Sequence, residues 1–310
     1  MRPIKFGLFA PQVGLSFADI KDRTLLAERL GFDSVWFVDH MWARGMPDLE
    51  HLEAWTLMSA AAALTRRIRI GTLVLCNSYR NPALLAKMAA SLDHVSNGRF
   101  VLGMGAGWMD EEYRAYGYPF PSMRTRIEQL DEALSIIKLM FTQAHASFQG
   151  KYYAVDQALN NPKPIQQPHP PILIGGSGER YMLRVVAEHA DIWNCPNNAS
   201  LTLGRKLEVL HRHCELVGRD PADIEISEQS LVVLGRTAQE VATKTALAQQ
   251  MFGAVFDIEN TALKGTPEQL VDAIRKRHSE GVTFFTMLFT DFNQPETLEL
   301  FAERVAPAFA

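Results

Sequence analysis

Short, almost continuously apolar segments recur along the chain between longer stretches of helical periodicity. Lys5–Phe9, Ser34–Val38, Arg69–Leu75, Phe100–Met104, Pro171–Ile174, Asp191–Asn194, Ile224–Glu228 and Thr283–Phe289 make eight such runs. A strand covered on one face alternates apolar with polar residues, whereas a parallel strand covered on both faces does not, so these runs predict buried parallel strands. The segments between them carry helix boundaries. Asp19 offers a carboxylate to cap a first helix in which Leu26 and Leu30 share a face, and Gly31 supplies its left-handed stop. Asn81-Pro82 opens another helix that closes at Asn97-Gly98. Thr266-Pro267-Glu268-Gln269 is a capping box whose helix runs to about Gly281.

Eight strands alternating with helices predict an α/β chain folded as a (β/α)8 barrel, because a doubly wound sheet usually stops at about five to seven strands. Between the fourth and fifth strands the chain is longer than one βα unit requires. A helix over about Ser122–Phe141 is followed there by an insertion, Ala146–Pro170, in which Phe148-Gln149-Gly150-Lys151-Tyr152-Tyr153 predicts a hairpin. Pro162, Pro164, Pro168, Pro170 and Pro171 exclude helix on the return into the fifth strand. The gap before the eighth strand has room for two helices. No linker and no repeat beyond the βα period is visible, so residues 1–310 are expected to form one domain.

Composition narrows the function classes. An apolar fraction of 47% over 310 residues excludes disorder. The chain lacks the roughly 18 successive apolar residues of a membrane span. Thirty-one basic against 35 acidic side chains, with no Lys/Arg run, give no electrostatic footprint for nucleic acid or anionic lipid. The opening Met1–Phe6 enters a strand without the apolar core of a secretory signal, which points to the cytoplasm. Cys76, Cys195 and Cys214 are odd in number and far apart, so they read as free thiols, and no metal site is expected.

In a (β/α)8 barrel the residues at strand ends face the functional mouth. Asp39-His40 follows the second strand. An imidazole there can take or give a proton, with Asp39 beside it tuning its surroundings. Gly103-Met104-Gly105-Ala106-Gly107 ends the fourth strand but fails the dinucleotide fingerprint, since Trp108 stands where the third glycine is needed. These glycines either let a large flat ligand approach the backbone or only relieve crowding in a tight turn. Gly175-Gly176-Ser177-Gly178 lies between the fifth strand and a helix beginning near Glu179. Unscreened amides, a hydroxyl and a helix dipole there suit a phosphate, with a structural turn as the alternative. His169 and His189 read as surface or structural. Phe9, Trp42, Cys76, Trp108 and Cys195 suit either an apolar substrate cavity or core packing.

Four stretches together resemble the bacterial luciferase-like superfamily over nearly the whole chain. They are Gly31-Phe32-Asp33-Ser34-Val35-Trp36 leading to Asp39-His40, and Ser96-Asn97-Gly98-Arg99-Phe100 leading to Gly103–Trp108. Glu112-Tyr113 follows, and then Asn161-Pro162-Lys163-Pro164 leading to Pro170–Gly178. Within that superfamily the chain resembles most the coenzyme F420 (deazaflavin)-dependent oxidoreductases. The resemblance implies a tricyclic ring in the barrel mouth, a homodimer, and His40 with Asp39 as acid/base or hydrogen-bond partners near the ring. It implies that a bulge with a non-prolyl cis peptide at Leu73-Val74 backs the ring. It also implies that Gly105, Ala106, Gly107 and Trp108 contact the ribityl chain and phosphate, and that Gly175, Gly176, Ser177 and Gly178 form the phosphate loop. Several deazaflavin-dependent dehydrogenases have an acid where this chain has Trp108, so that acid's role does not carry over. The expected activity is deazaflavin-dependent hydride transfer on a small organic substrate. FMN-dependent two-component monooxygenation is the alternative, followed by a catalytically silent ligand-binding barrel.

Overall fold

The computed structural model describes residues 2–10 and 12–309; Met1, Pro11 and Ala310, at which the one-domain reading of 1–310 also extends, lie outside the described residues. The strands are β1 (Lys5–Phe9), β2 (Ser34–Phe37), β3 (Arg69–Thr72), β4 (Leu75–Cys76), β5 (Phe100–Gly105), β6 (Ala146–Gln149), β7 (Ala154–Ala158), β8 (Ile172–Gly175), β9 (Ile192–Cys195), β10 (Glu225–Leu234), β11 (Leu263–Gly265) and β12 (Phe284–Phe289). The helices are α1 (Phe17–Arg29), α2 (Ala54–Leu64), α3 (Pro82–Val95), α4 (Asp110–Ala115), α5 (Met123–Thr142), α6 (Met182–His189), α7 (Leu203–Val217), α8 (Ala238–Phe252), α9 (Ile258–Thr261), α10 (Pro267–Ser279) and α11 (Pro295–Arg304).

Parallel pairing runs β1-β2-β3-β5-β8-β9-β10-β12 and returns to β1, which closes an eight-stranded (β/α)8 barrel. All eight predicted runs are its staves, with ends shifted by a residue or two except at the seventh, which extends to Leu234. The third run is interrupted. Its ladder stops at Thr72, the Leu73–Val74 peptide is cis, and β4 resumes pairing with β5 at Met104 and Gly105. β6 and β7 form an antiparallel hairpin before the proline-rich return to β8. β11 lies outside the barrel along the end of β10.

Two cores follow from this closure. A large layer lies between staves and helices, with Leu8, Val35, Phe37, Phe100 and Phe285 fully or almost fully buried, and a smaller one fills the barrel with Trp36, Val101, Leu173 and Phe284. The helix signals act as their chemistry dictates, with one correction. Ser16, not Asp19, is the first N-cap; Asp19 sits at the third helical position and completes a capping box by accepting from the Ser16 amide. Asn81 and Thr266 cap α3 and α10 as expected, and Gly31 holds φ +83° just past α1. No helix among the described residues is long and apolar enough to cross a membrane.

Candidate active site

β2 delivers Asp39 and His40 to the mouth, and they have different partners. The Asp39 carboxylate is buried and accepts both guanidinium nitrogens of Arg80, at 2.7 and 2.9 Å, and the Cys76 amide at 2.8 Å. Arg80 also reaches Glu53, the N-cap of α2, at 3.0 Å. Asp39 makes no hydrogen bond to His40. The acid on the imidazole is Glu112 of α4, whose Oε2 lies 2.8 Å from His40 Nδ1.

Glu112 is one of three successive acids in the first turn of α4, a position that favours negative charge, and it is the one turned fully inward, 1% exposed. Oε2 also accepts the Tyr79 hydroxyl at 2.8 Å, and Oε1 accepts the Met41 amide at 2.5 Å. Burial pushes this carboxyl upward. The His40 hydrogen bond and charge, together with the Met41 and Tyr79 bonds, outweigh it and leave the group below the ordinary glutamate value. An ionised carboxylate only accepts, so His40 Nδ1 carries a proton toward Glu112, and Nε2 makes no hydrogen bond among the described residues. Trp108, 50% exposed, meets the His40 ring edge-on at 5.5 Å, and the Arg44 guanidinium lies over the indole at 5.4 Å. A second imidazole, His51, has neither ring nitrogen hydrogen-bonded; burial and then the charge of His40 lower its pKa to about 4.

The glycines after β5 have protein neighbours. A Cβ at Gly103 would lie 1.8 Å from the Thr72 carbonyl oxygen, and one at Gly105 would lie 2.6 Å from Val74 Cγ2. Gly175, on the adjoining stave, faces the same valine, with a Cβ there 3.0 Å from its Cγ1. Gly107 adopts φ +75°, and a Cβ would meet the Tyr113 hydroxyl at 2.0 Å. That hydroxyl bonds Ser78 Oγ at 2.9 Å and stands 2.9 Å from Cys76 Sγ. Burial pushes the Cys76 thiol up to about 11, so it stays protonated. The glycines therefore make a slot for the Thr72–Val74 bulge and a seat for Tyr113, which is the crowding reading of this cluster; Ala106 is buried beside them.

After β8 the surroundings are open. The Gly176 carbonyl accepts Trp193 Nε1 at 2.7 Å, and the Gly178 carbonyl accepts the Leu183 amide at 3.0 Å. Among the described residues no hydrogen bond engages the Ser177 amide, the Ser177 hydroxyl or the Gly178 amide. The nearest atom to a Cβ at Gly178 would be Met182 Cβ, at 3.6 Å. The helix expected near Glu179 begins at Met182 instead. The Glu179 carboxylate is drawn to Arg205 and Lys206 of α7, each at 2.9 Å, and its carbonyl accepts His213 Nε2 at 2.8 Å, which turns the chain before α6 can start.

Of the remaining candidates, Phe9 and Cys195 are buried and Trp42 stacks on Tyr116 with ring centres 5.8 Å apart. His189 bonds Asp131 Oδ1 at 2.7 Å on the outer layer. Residue-type reasoning missed Tyr79, Arg80 and His51 as members of the mouth and assigned Glu112 no part. The signal for Glu112 was a carboxylate at helical spacing one turn past a strand-end loop.

A family model described as luciferase-like monooxygenase matches residues 4–255. The chain is 27% identical over 355 aligned positions to the FMNH(2)-dependent dimethylsulfone monooxygenase of Pseudomonas putida, covering 99% of this chain and 95% of that protein. It is 31% identical over 227 positions to the F420-dependent glucose-6-phosphate dehydrogenase of Kineococcus radiotolerans, covering 72% and 66% respectively. Other curated relatives are matched over about half of their length. A solved structure of an F420-dependent secondary alcohol dehydrogenase, in complex with an F420–acetone adduct, superposes over 100% of both chains with a TM-score of 0.86 at 22% identity, a likeness of fold.

Proposed function

The chain belongs to the luciferase-like monooxygenase family, and from that premise we propose that it is a deazaflavin (coenzyme F420)-dependent oxidoreductase that transfers a hydride to or from a small organic substrate. The observation that carries the reading is the Glu112–His40 pair. With Nδ1 held by an ionised carboxylate, Nε2 is positioned to take up or return the proton that accompanies a hydride in alcohol–carbonyl chemistry. The residues suit the cofactor. Ser177 and Gly178 offer unpartnered amides and a hydroxyl to a phosphate, and Leu73-Val74, wedged between Gly105 and Gly175, offers an apolar back wall to a ring. Gly107 and Trp108 border the approach, with Gly105 and Ala106 behind them. A bound deazaflavin supplies the hydride acceptor or donor; the protein binds it, orients it and handles the proton. Asp39, tied to Arg80, positions the β2 end that carries His40.

A second reading, FMN-dependent two-component monooxygenation, is favoured by the near-complete alignment with the sulfone monooxygenase. Homodimeric assembly and a cytoplasmic location complete the proposal, the latter suited by three cysteines that are all free thiols. Anaerobic titration with oxidised and reduced deazaflavin and FMN, followed by fluorescence, tests it. Micromolar binding of deazaflavin is expected; tight binding of FMN alone transfers the protein to the second reading. His40→Asn is expected to keep cofactor affinity and lower turnover by about 10²–10⁴, and undiminished turnover returns His40 to a structural role.

A further inference from the structure

At the pole opposite the mouth, the first residues of β1, β2, β3, β10 and β12 surround a cavity of about 400 Å³, within the size range of small-molecule sites. Its inner wall is apolar: Trp36, Val101, Ile192 and Phe284 line it and are each less than 5% exposed. Its outer wall carries both signs of charge. Glu225 is 6% exposed; one carboxylate oxygen pairs with Lys5 Nζ at 3.0 Å, and the other is buried with no hydrogen-bond partner among the described residues. Arg69, partly buried, makes one long side-chain hydrogen bond, 3.3 Å to Gln166 Oε1, and has no carboxylate within 4.0 Å among the described residues. Burial pushes its pKa below the usual arginine value, with the charges of Glu225, Asp93 and Asp33 opposing that shift.

A buried acceptor without a donor costs folding free energy, and here it faces the same cavity as a partly buried guanidinium that has no carboxylate in contact. A simple carboxylate would suit Arg69 but leave the Glu225 oxygen unmatched and repelled. A simple amine would suit Glu225 and leave Arg69 bare. A neutral amide could hydrogen-bond each group, but a molecule that carries an ammonium and a carboxylate together matches both charges, and the inner wall asks that the rest of it be apolar. We propose that this pole is a binding site for an α-amino acid with an apolar side chain. Its carboxylate lies on Arg69, its ammonium on Glu225, and its side chain against Trp36 and Phe284. The site is independent of the mouth and of whichever cofactor the mouth takes.

Calorimetric titration of the full-length protein with L-phenylalanine tests the proposal, with phenethylamine and 3-phenylpropanoate as probes that each lack one charge. Expected is saturable binding of one L-phenylalanine per chain, weaker by about tenfold or more for each single-charge probe and for Glu225→Gln and Arg69→Lys. Binding is expected to persist in Ser177→Asp and with the mouth saturated by cofactor. Amide exchange read in parallel on the unmodified protein should show new protection at residues 31–36, 67–69 and 192–193, which keeps the proposal testable if either variant fails to fold. No saturable heat at millimolar L-phenylalanine, equal affinity for a single-charge probe, or full affinity in both folded variants overturns it. In the first of those cases the cavity holds only water.

Discussion

The two glycine-rich loops of the mouth look alike in sequence and differ in what their missing side chains are for. At the end of β5 and just past it, Gly103, Gly105 and Gly107 are filled from within: a Cβ at each would strike Thr72, Val74 or Tyr113 at 1.8, 2.6 and 2.0 Å. At the end of β8 a Cβ on Gly175 or Gly176 would lie 3.0 Å from Val74 or Met182, but one on Gly178 meets nothing nearer than 3.6 Å, and the Ser177 and Gly178 amides make no hydrogen bond among the described residues. One loop packs protein on protein along its length, and the other does so only at its start and then leaves two amides unpaired among the described residues. A run of glycines is thus two different signals, and only the neighbours in space tell which.

The sharpest way to break this contrast is Gly103→Ala. The added methyl meets backbone, which cannot rotate aside, so the expected cost exceeds about 3 kcal/mol, read as a large loss of denaturation midpoint. A stable variant would mean that the bulge moves freely. Gly107→Ala combines a left-handed backbone with a collision against a hydroxyl, and should cost about 2–3 kcal/mol by the same measurement. Ser177→Asp should leave stability within about 0.5 kcal/mol while weakening cofactor affinity at least about tenfold, since a carboxylate would face the phosphate. Unaltered affinity in a fluorescence titration would place the anion site elsewhere. Gly178→Ala is the smallest change: stability should hold, and cofactor affinity should fall by less than about tenfold. If it destabilises as much as Gly107→Ala, the two loops are not different in kind.

The barrel was readable in the chain because a stave buried on both faces is apolar throughout, as in Phe100–Gly105 and Phe284–Phe289. The break in the third stave was not, since Leu73, Val74 and Leu75 are apolar through the bulge; only the resemblance placed a bulge with a cis peptide at Leu73-Val74. The strand-end rule located His40 but not its acid. Asp110, Glu111 and Glu112 are chemically equivalent as letters, and packing alone decides that the last one turns inward. The late start of α6 had the same origin, because the residues that hold Glu179 lie on α7, more than twenty positions away.

Barrel enzymes diversify by exchanging one strand-end loop at a time over an unchanged scaffold. Glu112 limits that freedom in this chain. Its two oxygens join the segment after β2, through His40 and Met41, to the turn after β4, through Tyr79, and to its own helix after β5. Replacing either partner segment by itself would leave a buried carboxylate short of donors, and replacing the helix would take the acceptor from His40, Met41 and Tyr79, so they constitute a single unit of inheritance. Loop exchange therefore has its open ground beyond β8, where no segment is tied to Glu112.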